Sequence, residues 1–246
     1  MSKNKIIDIA LIILLYIGIS TFPTNLITSD SVIYYLIEAL LMAVALTIIL
    51  LYVRRHTYLL IEKKPIDYKV LLLLCPVVVV AISNFIYAWI MKEEFYPVFI
   101  NSDPLQILFI CLGVVVEEII FRYLLLGNIE QGKPIVRIIV AAGIFGLCHL
   151  THFFSTFNPI SLVVVAYSFG LGLLLGIVYY YSHSLIACIG LHLIFNLCND
   201  FLFTHMYTTN NALWYYIING IVAVLIGVYV LMVYLLKLRK NPAELG

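Results

Sequence analysis

The 246-residue chain is 64% hydrophobic and 11% charged, and its formal net charge is +1. Its mean hydropathy is +1.09, which excludes an ordinary soluble domain, and the near-neutral charge gives no indication of a nucleic acid partner. The sequence therefore predicts an integral membrane protein whose main surroundings are the lipid bilayer.

Eight apolar runs follow one another along the chain, each near the ~20 residues that an α-helix needs to cross a bilayer. They cover residues 6–22, 32–53, 70–91, 105–126, 138–154, 160–181, 184–203 and 213–236. The predicted fold is all-α: a polytopic bundle of about eight transmembrane helices, forming a single integral membrane domain over residues 1–246.

The loops between these runs predict the orientation, because cytoplasmic loops carry an excess of lysine and arginine. With a cytoplasmic N-terminus, Lys92 is the one basic loop residue that falls outside. The basic residues that fall inside are Lys3, Lys5, Arg54, Arg55, Lys63, Lys64, Lys69, Lys133, Arg137, Lys237, Arg239 and Lys240. Both termini are therefore expected in the cytoplasm, and the first run is expected to be a retained span because no small-residue cleavage site follows it.

Three ionisable residues interrupt the fourth run, Glu117, Glu118 and Arg122 in LGVVVEEIIFRYLLL. Each charge at a helix centre costs roughly 2.5 to 3.5 kcal/mol, whereas each Leu, Ile, Val or Phe returns only about 0.3 to 0.6 kcal/mol. Glu118 and Arg122, four residues apart, could form a purely structural ion pair. One arginine cannot neutralise two carboxylates, however, so Glu117 remains a candidate for acid or base chemistry.

Two later runs carry the remaining candidates. GIFGLCHLTHFF places His149 four residues after Phe145, and IGLHLIFNLCND places Asn196 four residues after His192; residues at this spacing lie on one helical face. A lone intramembrane histidine is more often an interhelical hydrogen bonder than a catalyst. By residue count His149 lies nearer the outer end of its run than the carboxylates, so we expect that helix to begin near Pro134 or to tilt.

Small residues repeat at four-residue spacing in the fifth and sixth runs. Ala142 and Gly146 form one such pair, and Gly172 and Gly176 form the other. Small side chains at this spacing allow two membrane helices to approach closely, so close packing of these two helices is expected.

Three short motifs carry a resemblance to a known family. EEIIFR, FGLCH and HLIFN match the EExxxR, FxxxH and HxxxN motifs of the CPBP intramembrane proteases, also called the Abi or CAAX prenyl protease type II family. Their order, their spacing and their placement in three separate runs all agree. The resemblance covers residues 105–203, which would be the catalytic core spans, and it departs at Tyr123, where many relatives have glycine.

The resemblance implies an intramembrane endopeptidase in a multi-pass protein, expected in a bacterial cell membrane. By the family pattern, Glu117 would activate a water molecule with the help of His149. His192 and Asn196 would polarise the scissile carbonyl and stabilise the oxyanion, as fixed donors in a dry site can do.

The resemblance also implies supporting residues and raises the question of a metal. Glu118 and Arg122 would orient and tune Glu117 without acting on the substrate. Glu117, His149 and His192 could together bind zinc with one open position for water. The same residues also suit a metal-free glutamate protease, so no cofactor is certain and zinc stays an alternative.

Two function classes follow for this chain. The leading hypothesis is an endopeptidase that hydrolyses peptide bonds of membrane-associated peptides or proteins; eukaryotic members of the family process prenylated CAAX proteins, and many bacterial members are linked to bacteriocin self-immunity. The alternative is a non-catalytic membrane binding or bacteriocin self-immunity protein. A proton-coupled transporter, suggested by the intramembrane carboxylates and histidines alone, ranks third.

Overall fold

The computed structural model describes residues 3–21, 32–55, 104–129, 133–151, 154, 160–197, 221, 225 and 228. Within these ranges every regular element is helical, which confirms the all-α fold class. The predicted span 70–91 and most of the predicted span 213–236 lie outside the described residues. The count of eight spans and the cytoplasmic termini therefore stay predictions.

The described part of the chain contains six α-helices and one π-helical segment. The α-helices are α1 (Lys3–Thr21), α2 (Val32–Arg55), α3 (Pro104–Glu118), α4 (Pro134–Cys148), α5 (Ile160–Ser182) and α6 (Leu185–Asn196). The π-helical segment, Ile119–Leu126, continues α3 without a break. Among the described residues, two helical stretches, Ile33–Arg55 and Pro104–Leu126, are long and apolar enough to cross a membrane.

The π-helical segment is the centre of the described structure. It packs against α1, α4, α5 and α6, and Ile120 and Phe121 within it are completely buried. Helices α4 and α5 form the most extensive interface, and α3 packs along α2. The charged residues at the junction of α3 and the π-helical segment therefore lie inside a helical bundle, where polar groups can find partners.

The winding of the chain changes directly after Glu118. The backbone N–H of Gly127 bonds to the carbonyl of Arg122, five residues earlier, which is the pattern of a π-helix. Such segments are rare and frequently occur at functional sites. The fourth predicted span is thus helical throughout, but its second half is wound more widely than an α-helix.

Helix α4 begins at Pro134, as the position of His149 in its run led us to expect. Proline suits the first helical position because its missing N–H would be unpaired there in any case. The α-helix ends at Cys148, six residues before the predicted end of the run. His149 consequently caps the helix, with its backbone N–H bonded to the carbonyl of Gly146 at 3.0 Å.

Close packing of α4 on α5 confirms the expectation drawn from the small residues. A Cβ atom at Gly172 would lie 3.1 Å from Ala142 and 3.1 Å from Cδ1 of Phe145. A Cβ atom at Gly146 would lie 3.0 Å from Phe169, and one at Gly176 would lie 3.0 Å from Ile138. Glycine at these positions is what allows the two backbones to approach.

The Gly172→Val change should lower both the melting temperature and any activity of the protein, because the added side chain would collide with Ala142 and Phe145. Overpacking of this kind typically costs about 1 to 3 kcal/mol. Gly143→Val in α4 is the matched control, since a Cβ atom there meets nothing within 4 Å. Equal melting temperatures for the two detergent-solubilised variants would show that the interface tolerates the larger residue.

A two-residue break separates α5 from α6. His183 adopts a φ of 49°, a left-handed conformation that is uncommon outside glycine. Ser184 then caps α6, its hydroxyl accepting a hydrogen bond from the N–H of Ala187 at 3.2 Å, as is usual for serine at this position. The break at His183 and Ser184 determines where α6 begins. It therefore also determines the position of His192, which lies about two helical turns further along α6.

Candidate active site

The adjacent carboxylates Glu117 and Glu118 have different surroundings. The side chain of Glu118 is completely buried, whereas that of Glu117 is 12% exposed. Glu117 is the penultimate residue of α3. Glu118 is its last residue and caps the π-helical segment that follows. Of the two, Glu117 is therefore the carboxylate that a water molecule or a substrate can reach.

Glu118 uses each of its oxygens for a different partner. Oε1 lies 2.8 Å from Nδ1 of His192, and Oε2 lies 3.0 Å from Nε of Arg122. The contact with Arg122 is an ion pair without hydrogen-bond geometry. A buried carboxylate needs such partners to offset its loss of hydration, and Glu118 is thereby held in one orientation.

Arg122 is the largest completely buried polar side chain of the described core. Besides its ion pair with Glu118, its guanidinium carbon lies 5.0 Å from the centre of the Phe145 ring. A cation over an aromatic face is stabilised by the ring quadrupole, more strongly when water is excluded. Arg122 thus connects the carboxylate pair of α3 to the aromatic residue of the second motif.

His192 lies between the two carboxylates and is 3% exposed. Its Nδ1 faces Glu118, and because an ionised carboxylate can only accept, Nδ1 carries a proton and donates it. Its Nε2 lies 3.7 Å from Oε2 of Glu117. That distance is too long for a direct hydrogen bond and is of the kind that a water molecule can bridge.

Glu117 has a second partner that sequence reasoning missed. Its Oε1 accepts a hydrogen bond from the hydroxyl of Tyr16 in α1, while its Oε2 faces His192. The ring of Tyr16 packs edge-on against Phe121, with the ring centres 6.2 Å apart. No local motif marks Tyr16, which is one of 18 tyrosines in the chain.

His149 approaches the site through an aromatic ring. Its Nδ1 lies 2.9 Å from the carbonyl oxygen of Phe145, so Nδ1 donates, and Nε2 is the nitrogen left to accept a proton in the neutral ring. The Phe145 ring lies 4.9 Å from the ring of His149 and 5.9 Å from that of His192. Phe145 therefore contacts both imidazoles.

Asn196, the last residue of α6, lies one turn beyond His192 and is half-buried. The structure shows no hydrogen bond from its side chain to any other described residue. The contacts within the site bring four sequence-predicted residues together directly: Glu117, Glu118, Arg122 and His192. They connect His149 through Phe145, and they leave Asn196 on the adjoining turn.

A three-ligand metal site is not formed within the described ranges. No three His, Cys, Asp or Glu side chains there are grouped so that they could hold one metal ion. Glu117 and His192 face each other across 3.7 Å, and the ring of Phe145 contacts the rings of both His149 and His192. A catalytic zinc site needs three protein ligands around one point, so the described arrangement does not supply one for zinc.

Residues 101–198 match the family model for the type II CAAX prenyl endopeptidases, described as Rce1-like. The match contains all three motifs and every sequence-predicted site residue, and it confirms their resemblance to this family. Tyr16 lies outside it. No curated protein matches the chain.

Proposed function

Since residues 101–198 match the Rce1-like model of the type II CAAX prenyl endopeptidases, we propose that the chain is an intramembrane endopeptidase that hydrolyses peptide bonds of membrane-associated peptides or proteins. The observation that supports this most is the position of His192. One ring nitrogen bonds to Glu118 at 2.8 Å, and the other faces Glu117 across 3.7 Å. A histidine anchored by one carboxylate has its other ring nitrogen fixed beside the second, where it can donate a hydrogen bond next to the general base.

Glu117 acts in this proposal as the general base. A water molecule beside its Oε2 loses a proton to the carboxylate while its oxygen attacks the carbonyl carbon of the scissile bond. Nε2 of His149 is the nitrogen able to accept a hydrogen bond from that water, because Nδ1 is committed to the Phe145 carbonyl. Two acceptors would then direct the water.

His192 and Asn196 stabilise the negative charge that develops on the carbonyl oxygen. With Nδ1 bonded to Glu118, a doubly protonated His192 ring has its Nε2 proton available for this oxyanion. The amide of Asn196, one turn further along α6, supplies a second donor. The tetrahedral intermediate then collapses: the C–N bond breaks, Glu117 returns its proton to the leaving nitrogen, and a new carboxylic acid remains, which loses its proton to solvent.

The ion pair of Glu118 and Arg122 supports this chemistry without taking part in it. Glu118 holds the His192 ring by Nδ1, and Arg122 compensates the charge of Glu118. Both side chains are completely buried, so neither can reach a substrate. Their proposed role is to keep His192 oriented and to leave Glu117 as the one carboxylate that reacts.

Reconstitution of the purified chain in liposomes tests the proposed function. We expect it to cleave peptides that end in a prenylated CAAX sequence or another membrane-bound peptide, with the products identified by mass spectrometry. The site does not identify the natural substrate, so a second experiment compares the proteins of membranes that contain either the wild-type chain or Glu117→Ala. Substrates should accumulate uncut in the variant. No cleavage by the wild-type chain in either experiment would favour the non-catalytic alternative.

A chelator arm in the same assay tests the zinc alternative. We propose that the side chains alone perform the reaction, so cleavage should continue after treatment with 1,10-phenanthroline and dialysis. Loss of cleavage that zinc restores, with no loss from an inactive chelator analogue, would instead show that the reaction needs zinc, with Glu117, His149 and His192 as the candidate ligands.

A further inference from the structure

The first helix contributes a residue to the site that the family match does not contain. Tyr16 of α1 lies outside residues 101–198, yet its hydroxyl donates to Oε1 of Glu117. The two residues are 101 positions apart in sequence. Contact between α1 and the π-helical segment brings them together.

The position of Tyr16 is well defined by its packing. The side chain is 8% exposed, and its ring meets Phe121 at an interplanar angle of 85°. Phe121 meets Phe145 in turn, with ring centres 5.0 Å apart, and Phe145 contacts both imidazoles of the site. The hydroxyl of Tyr16 is therefore held by the same aromatic packing that surrounds the candidate catalytic residues.

Glu117 needs an external constraint more than its neighbour does. Glu118 is completely buried, and each of its oxygens has a partner: Oε1 the Nδ1 of His192 and Oε2 the guanidinium of Arg122. Glu117 is partly exposed, and its carboxylate group can rotate about a broad torsion. A donor on Oε1 fixes that rotation and leaves Oε2 directed at His192, which lies 3.7 Å away. Hydrogen bonds to an ionised group are among the stronger ones, so one donor can suffice.

We propose that Tyr16 is a positioning residue for Glu117: α1 supplies the hydroxyl that holds one carboxylate oxygen so that the other faces His192 and the attacking water. This inference rests on the proposed function. It extends the active site beyond the segment that carries the family motifs, and it gives α1 a role in the reaction.

Tyr16→Phe is the central test, because it removes the hydroxyl and keeps the ring that packs on Phe121. Misplacement of a reacting group by about 1 Å can cost on the order of 10²-fold in rate, so we expect kcat to fall by about 10- to 100-fold. KM should stay within about two-fold of wild type, since no substrate contact is removed. The melting temperature should fall by only a few degrees, the loss expected for one hydrogen bond when the ring packing is kept.

Tyr52→Phe is the matched control. Like Tyr16, Tyr52 donates a hydrogen bond to a carboxylate on another helix: its hydroxyl, in α2, lies 3.2 Å from Oδ2 of Asp8 in α1. This pair makes none of the contacts of the candidate site. The same loss of one hydroxyl should therefore leave kcat within about two-fold of wild type. Tyr16→Leu, which removes the ring as well, should lower the melting temperature in addition to kcat and so separates packing from hydrogen bonding.

An infrared measurement makes the test independent of activity. The carboxylate band of Glu117, identified by its loss in Glu117→Gln, should shift in Tyr16→Phe and stay unchanged in Tyr52→Phe. An unshifted band, or a Tyr16→Phe protein that turns over as fast as wild type, would overturn the role of Tyr16. If the wild-type chain cleaves nothing, the proposed function fails, while the band shift still reports whether Tyr16 holds Glu117.

Discussion

Glu117→Gln should lower turnover by about 10²- to 10⁴-fold, the usual contribution of a positioned general base. Glutamine keeps the size of the side chain and can still accept the hydrogen bond from Tyr16, but it cannot take a proton from water. Insertion and folding should be unaffected, because Glu117 is the partly exposed member of the pair and Arg122 contacts Glu118 instead. Liposome cleavage and melting temperature, measured side by side, check both expectations.

Glu38→Gln is the matched control for this result. Glu38 is another buried carboxylate within an apolar helix, 6% exposed in α2, and it has no part in the proposed reaction. Its change to glutamine should leave cleavage near the wild-type level. Cleavage that persists in a well-expressed Glu117→Gln protein would contradict the enzyme hypothesis and favour a binding or immunity protein.

Arg122→Ala should reduce the free energy of unfolding by about 3 to 5 kcal/mol, because it leaves the carboxylate of Glu118 buried without its ion pair. The change also removes the cation from the face of Phe145 and leaves a cavity in a completely buried region. We therefore expect a lower melting temperature, less protein in the membrane and reduced cleavage. Thermal unfolding in detergent and quantitative immunoblotting of membranes measure these effects.

The double change Glu118→Gln with Arg122→Gln should recover much of that loss, because removing both charges of a buried pair costs far less than removing one. A glutamine oxygen at position 118 can still accept from Nδ1 of His192. If Arg122→Ala abolishes cleavage while the melting temperature is unchanged, Arg122 acts on the transition state itself. The assignment of Glu118 and Arg122 to support would then be wrong.

Sequence spacing was sufficient for those parts of the site that lie within one helix. Glu118 and Arg122 are four residues apart, and the structure pairs them at 3.0 Å. The small residues of α4 and α5 predicted a close interface for the same reason, and Gly172 does lie against Ala142. Such predictions succeed because a helix places residues three and four apart on one face, whatever surrounds it.

The connections between helices could not be obtained in this way. The bond of Tyr16 to Glu117 joins two helices far apart in the chain, and no periodicity distinguishes Tyr16 from the other tyrosines. His192 bonds Glu118 through Nδ1 and directs Nε2 at Glu117. This orientation depends on how α6 is rotated about its axis relative to α3. That rotation is set by the packing of whole helix faces and by the turn at His183 and Ser184.

By itself the sequence determined that this protein is a helical membrane protein and that its family motifs lie on separate helices. Bilayer length, hydropathy and helical periodicity are local properties, so composition and spacing express them directly. Only the tertiary structure decided that the winding changes to a π-helix after Glu118, and that α1 delivers Tyr16 to Glu117. Both depend on how side chains from segments far apart in the sequence pack around a buried charge. Local sequence patterns do not predict such packing.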